Sequence, residues 1–176
     1  MRKALILSVV VLLALPIFGC SSQSTSSNST QSSSVSQESV VSQGTLTQEQ
    51  KNEIKGYLDT KQMIDLDNAI SEATDGLMDL VSEGNVDEID RRFFALSNAV
   101  EEAEKVNVPT LCKNLHYYKL QSGRALTVAL GDLSKAIGSS SDATELINEA
   151  SSYIDQATGF MNDYDEEAKR LAELAK

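Results

Sequence analysis

From Thr47 onward, apolar residues recur every three or four positions, and no segment alternates with period two. A chain patterned in this way buries its apolar faces by packing helices side by side. Pro109 is the one proline in this stretch, and it falls at a predicted helix start, where its missing N–H has no intrahelical partner to lose.

The spacing predicts a leading helix over about Gln48 to Leu58, with Thr47 as N-cap and Gln50 as its capping-box partner. The following helix carries Met63, Leu66, Ile70, Ala73, Leu77, Leu80 and Val81 on one face. Projected backward, that face lands on Asp59, Gly56 and Asn52, whereas Ile54, Tyr57 and Leu58 fall on the opposite side. One straight helix cannot aim both sets at one core. A break is therefore predicted near Asp59, which reads as a second N-cap with Gln62 three residues on. The alternative is one long helix that leaves Ile54 and Leu58 exposed for a partner.

Glu83-Gly84-Asn85 reads as a stop followed by a start, with Asn85 and Glu88 forming the next capping box. The second main stripe is Ile89, Phe93, Leu96, Val100 and Ala103, with Phe94 pointing off it. After Pro109, the third stripe runs through Leu111, Leu115, Tyr118, Ser122, Leu126, Ala129, Leu133 and Ile137. Gly138-Ser139-Ser140 ends that helix, and Ser141 or Asp142 caps the last one. The last stripe runs from Ile147 through Ile154, Met161 and Leu171 to Ala175. Short connections favour antiparallel neighbours. The expected fold is all-α: an antiparallel up-down-up-down four-helix bundle with a short extra N-terminal helix, which packs near the C-terminal end of the last helix. Charge agrees with that order, because residues 107–138 carry four bases and one acid between two acidic neighbours. Exposed pairs contribute only about 0–1 kcal/mol each, so burial carries the fold.

The domain is preceded by two segments of different character. Residues 21–44 are half serine, with one charge (Glu38) and no aromatic, a composition that cannot bury enough apolar area to fold. Such a tether has a mean reach of ~27 Å. Before it, Arg2 and Lys3 lead into an apolar run from Ala4 to Leu15, followed by Pro16-Ile17-Phe18-Gly19-Cys20. The order of basic, apolar and small residues is that of a secretory signal, and the run is shorter than the roughly 20 residues a bilayer-crossing helix needs. Its end resembles a bacterial lipobox, with an aliphatic at −3 (Ile17) and a small residue at −1 (Gly19) before the cysteine. The resemblance implies a lipoprotein in which Cys20 is lipidated and becomes the first mature residue. The expected organisation is a signal peptide over 1–19, lipidated Cys20 and a disordered tether over 20–46, and a bundle domain over 47–176. The expected location is extracytoplasmic, on the cell membrane, or on the outer membrane if the host has two.

The net charge of −11 argues against nucleic acid, whose phosphates would repel it. With Cys20 committed to lipid, Cys112 has no partner within the chain, so no internal disulfide holds the fold.

No motif names a reaction. The single histidine has Lys113 at −3, where a di-metal bundle needs glutamate, and no Cys/His cluster has zinc spacing. Neither Asp65-x-Asp67 nor the acidic run 163–167 has the glycine and spacing of an EF-hand loop. No catalytic residue, metal or cofactor is assigned. Cys112 and His116 share one side of a helix at i, i+4, where an imidazolium could activate a thiol; the plainer reading is a buried apolar cysteine beside a boundary histidine. Lys119 falls on the core face near Ser122, at a level expected to face Ala73, Leu96 and Gly159-Phe160. Small neighbours there would leave a polar cavity for a small anion or cofactor; otherwise the lysine runs along the core edge and puts its amine in water, against Glu101 or Asp163. Leu46-Thr47-x-x-Gln50 is similar to the Leu-Thr-x-x-Gln motif of some periplasmic stress chaperones, and its physical content is a helix start. The favoured expectation is a non-enzymatic interaction module for an envelope protein, with Ile54, Tyr57, Leu58 and Phe94 as contact residues. The alternative is a small-ligand-binding bundle with a polar pocket near Lys119 and Ser122.

Overall fold

The computed structural model describes residues 46–139 and 141–174. Cys20, the lipobox and the tether up to residue 45 lie outside them, as does Ala175. The described chain is all-α: six α-helices and one 3-10 turn, with no strand among the described residues. In chain order the helices are α1 (Gln48–Leu58), α2 (Lys61–Thr74), α3 (Leu77–Glu83), α4 (Val86–Ala103), α5 (Lys113–Gly138) and α6 (Ala143–Leu174). The 3-10 turn, Thr110–Cys112, stands immediately before α5. None of these helices is long and apolar enough to cross a membrane.

The capping box at Thr47 is present in both directions: Gln50 N–H donates to Thr47 Oγ1 (3.2 Å) and Thr47 N–H donates to Gln50 Oε1 (2.9 Å). The break near Asp59 is also present. Asp59 ends α1, however, and Thr60 rather than Asp59 stands at the N-cap of α2. Leu46, expected as the last tether residue, already belongs to the fold. It is buried, and its N–H donates to the Leu174 carbonyl at the end of α6 (3.1 Å).

The second helix of the sequence reading is two helices. The backbone leaves the α conformation at Asp75 and turns left-handed at Gly76 (φ 58°), which divides the stripe Met63–Val81 between α2 and α3. An Arg92 guanidinium N–H from α4 donates to the Asp75 carbonyl, satisfying a group the interrupted helix leaves open. At the next turn Asn85 accepts from Glu88 N–H (3.3 Å), but the expected reciprocal bond gives way to a different partner set. The Glu88 carboxylate binds Arg91 and Arg92 instead, and their hydrogen bonds hold it down to about 2. On the last connection, Leu146 N–H donates to the Asp142 carbonyl at the start of α6 (3.1 Å).

Helix α5 is the central rod. It packs along α6 and along α4, while α2 packs along α4 and touches α5. Helix α1 rests on the 3-10 turn. Leu66, Ile89, Leu96 and Leu130 have no exposure at all, each contributing roughly 1.5–3 kcal/mol of apolar burial. Gly123 lets three helices converge on this core: a Cβ there would stand 2.7 Å from Val100 Cγ2 and 3.3 Å from Leu66 Cδ1. Register between α4 and α5 is marked by Ser134 Oγ donating to Asp90 (2.5 Å) and by the Arg124 guanidinium on Glu104 (2.6 Å).

Candidate functional site

Two polar clusters lie on the side of α5 that faces α1, α2 and α6. The first centres on Lys119. Its side chain is 3% exposed, and its amine pairs with Asp67 of α2, whose own side chain is 52% exposed. The same Nζ stands 4.2 Å from the ring centroid of Tyr164 on α6. The amine therefore meets a carboxylate and an aromatic face rather than open water, Glu101 or Asp163. Its level also differs from the expected one at Ala73 and Gly159-Phe160. The expected level assumes one straight helix along the stripe Met63–Val81; the break at Asp75–Gly76 and the 3-10 turn before α5 remove that assumption. Burial, followed by the charge of Asp67, pushes the Tyr164 phenol up to about 12. Ser122, one turn along α5, is fully buried, and its Oγ has no hydrogen-bond partner.

The second cluster ties α1 to α5. The Tyr57 hydroxyl lies 3.0 Å from His116 Nδ1 as a hydrogen-bond partner and 3.4 Å from Met63 Sδ. The two rings meet edge to face at 6.0 Å. Burial raises the Tyr57 phenol above its ordinary value, and Cys112, Tyr164 and Asp67 add to the effect. Burial lowers His116 below its ordinary value, and Arg124 lowers it further. Cys112 is fully buried; burial, then Glu53 and Glu167, pushes its thiol up to about 11. A neutral imidazole bonded to tyrosine and a thiol pushed upward run opposite to an activated Cys–His pair.

The contact residues expected from sequence divide into two groups. Ile54 and Tyr57 are buried and belong to the core, because the break after Leu58 lets α1 turn its apolar side inward. Leu58 and Phe94 are exposed, Phe94 to 63%. Shallow depressions open on the surface of the described residues, two of them formed largely by α6. One is bounded by Ser141, Asp142, Glu145, Asn148 and Ser152, the other by Tyr118, Asp163, Glu166, Glu167 and Arg170. Neither is lined by Lys119 or Ser122.

Sequence reasoning placed Lys119 on the core face but missed both of its partners. The signal was available: a lysine on an apolar face needs a counter-charge, and Asp67 adjoins the buried Leu66. Met63 as a partner for Tyr57 carried no comparable signal. In the described residues, no group of three or more His, Cys, Asp and Glu side chains is placed to hold a metal ion. Comparison with protein-family models, with curated proteins and with solved structures finds no match to this chain.

Proposed function

We propose that this chain is a lipid-anchored extracytoplasmic protein whose helical domain works by binding another protein of the cell envelope, not by catalysis. The observation that carries this reading is the order of residues 2–20: a basic pair, an apolar run, then Ile17-Phe18-Gly19-Cys20. Lipid on Cys20 would hold the domain to the membrane, and the serine-rich tether would set its reach. The binding part of the reading is supported by the exposed Phe94 and by the way the reactive side chains are engaged inside the fold. Lys119 is neutralised by Asp67, His116 is bonded to Tyr57, and Cys112 is shielded. The long rods are proposed to run up-down-up-down. The Ser134–Asp90 and Arg124–Glu104 pairs support this, since residue numbers fall along α4 as they rise along α5.

A small ligand held near Lys119 and Ser122 is the rival reading. The buried, partnerless Ser122 Oγ favours it, and the prior engagement of the Lys119 amine weighs against it.

Fractionation of cells expressing the full chain tests the anchor. Wild type is expected in the membrane fraction carrying metabolically incorporated fatty acid, and Cys20→Ser is expected to lose that label. Label retained in Cys20→Ser would overturn the assignment. Affinity recovery with the detergent-solubilised full chain tests the partner. Defined envelope proteins are expected; a retained small molecule by native mass spectrometry, with no protein, would favour the rival.

A further inference from the structure

We propose that the outer groove between α4 and α5, centred on Phe94 and Val128, docks a basic amphipathic helix of another protein, an inference that rests on the interaction reading above and names its surface. The two residues are 63% and 42% exposed, although each is large and apolar. They stand on neighbouring helices. Asp90 meets Ser134, and a Cβ on Gly131 would lie 3.4 Å from the ring of Phe93, so the register puts Val128 opposite the turn after Phe93. Phe94 packs edge to face on Phe93, with ring centroids 5.2 Å apart, and Phe93 in turn packs against the core. The exposed ring therefore has a supported base. Gly131 lets the Phe93 ring pack directly against α5, which holds the two helices close beneath Phe94 and Val128.

Charge selects the occupant. Along α4, Asp87 and Glu101 lie one helical heptad to either side of Phe94, on the same face, and neither has an ion-pair partner among the described residues. The bases on the facing side are already engaged: Arg124 by Glu104 and Lys135 by Asp132. Lys105, four residues beyond Glu101, feels its charge but is paired with Glu102. The groove is thus an apolar strip with an excess of negative charge along one bank, on a chain of net charge −11. A helix with apolar residues on one face and lysine or arginine beside them fits both features.

The probe is a short leucine–lysine peptide patterned as an amphipathic helix and carrying one benzophenone, photocross-linked to the full chain in nonionic detergent. The adduct sites are read by mass spectrometry. Cross-links are expected on α4 and α5 around Phe94 and Val128. Their yield is expected to fall about tenfold in Phe94→Ala and in the pair Asp87→Asn with Glu101→Gln, and to be unchanged in Leu58→Ala, which alters an exposed apolar residue elsewhere. No adduct, adducts spread elsewhere, equal labelling by a control peptide of the same pattern with glutamate in place of lysine, or an unchanged yield in either substitution set would overturn the assignment. Recovery of the same envelope proteins by wild type and by Phe94→Ala would also overturn it, while leaving the anchored-module reading in place.

Discussion

The buried amine of Lys119 is held between Asp67 on α2 and the face of Tyr164 on α6, so one side chain of α5 ties three helices together. Removing the carboxylate leaves an ammonium that is almost fully buried, whereas removing the ammonium leaves a carboxylate that is half in water. Asp67→Asn is expected to destabilise the fold by roughly 1–3 kcal/mol, below the range for a fully buried pair because Asp67 is partly solvated. Lys119→Met is expected to cost less than Asp67→Asn. Urea unfolding followed by circular dichroism checks the order, and equal losses in the two variants would contradict the account.

Tyr57 fastens α1 to α5 through His116 and Met63. Tyr57→Phe keeps the ring and removes the hydroxyl, with an expected loss of about 1 kcal/mol. Amide hydrogen exchange should rise first in residues 48–58, since α1 otherwise rests mainly on the 3-10 turn.

His116 gives the fold a pH dependence of definite sign. Its folded value lies below the ordinary 6.5, so between the two values the unfolded chain binds more protons than the folded one. The contribution is fully present above about 6.5 and is lost as pH falls through the depressed folded value. Stability measured downward from pH 7.5 is expected to decline through this window in the wild type. His116→Gln is expected to flatten that part of the profile. The lower decline tied to Glu88, which is held down to about 2, should remain in His116→Gln.

Cys112 is a shielded thiol. With Cys20→Ser as background, so that one thiol remains, a chromogenic disulfide reagent at pH 8 is expected to react at the rate of unfolding. Reaction should be complete and rapid in guanidinium chloride. The full burial of Cys112 and its thiol value of about 11 both act in that direction. Rapid reaction of the native chain would show an accessible, activated thiol instead.

Two glycines should respond to alanine with opposite sign. Gly159 is an exposed position in α6 with nothing within 4 Å of the added Cβ, so Gly159→Ala is expected to stabilise by about 0.5–1 kcal/mol. Gly123→Ala drives a methyl to 2.7 Å from the stiff Val100 side chain, and the overpacking, about 1–3 kcal/mol, outweighs the same propensity gain. Thermal unfolding of the two variants decides the point.

The helical class, the cap at Thr47, the break after Leu58 and the turn at Gly84 could be read from the residues. Each is set by neighbours a few positions apart, through side-chain period or a local hydrogen bond. The interruption at Gly76 was missed because the stripe continues in phase across it, and its stabilising contact comes from Arg92 on another helix. The burial of Ile54 and Tyr57 is not legible in the sequence, because the wheel shows only that they oppose the stripe of α2; which way α1 folds back is a matter of contact with the 3-10 turn.

The sequence by itself determined that this chain builds helices with apolar faces, and that an apolar run and a serine-rich stretch precede them, because period and composition are local properties. Only the tertiary structure decided that Lys119 finds Asp67 and Tyr164, that Tyr57 finds His116 and Met63, and that Ile54 turns into the core. Those outcomes depend on how far one rod slides and turns against the next. That register is a sum of packing contacts between residues distant in the chain, and no local pattern encodes it.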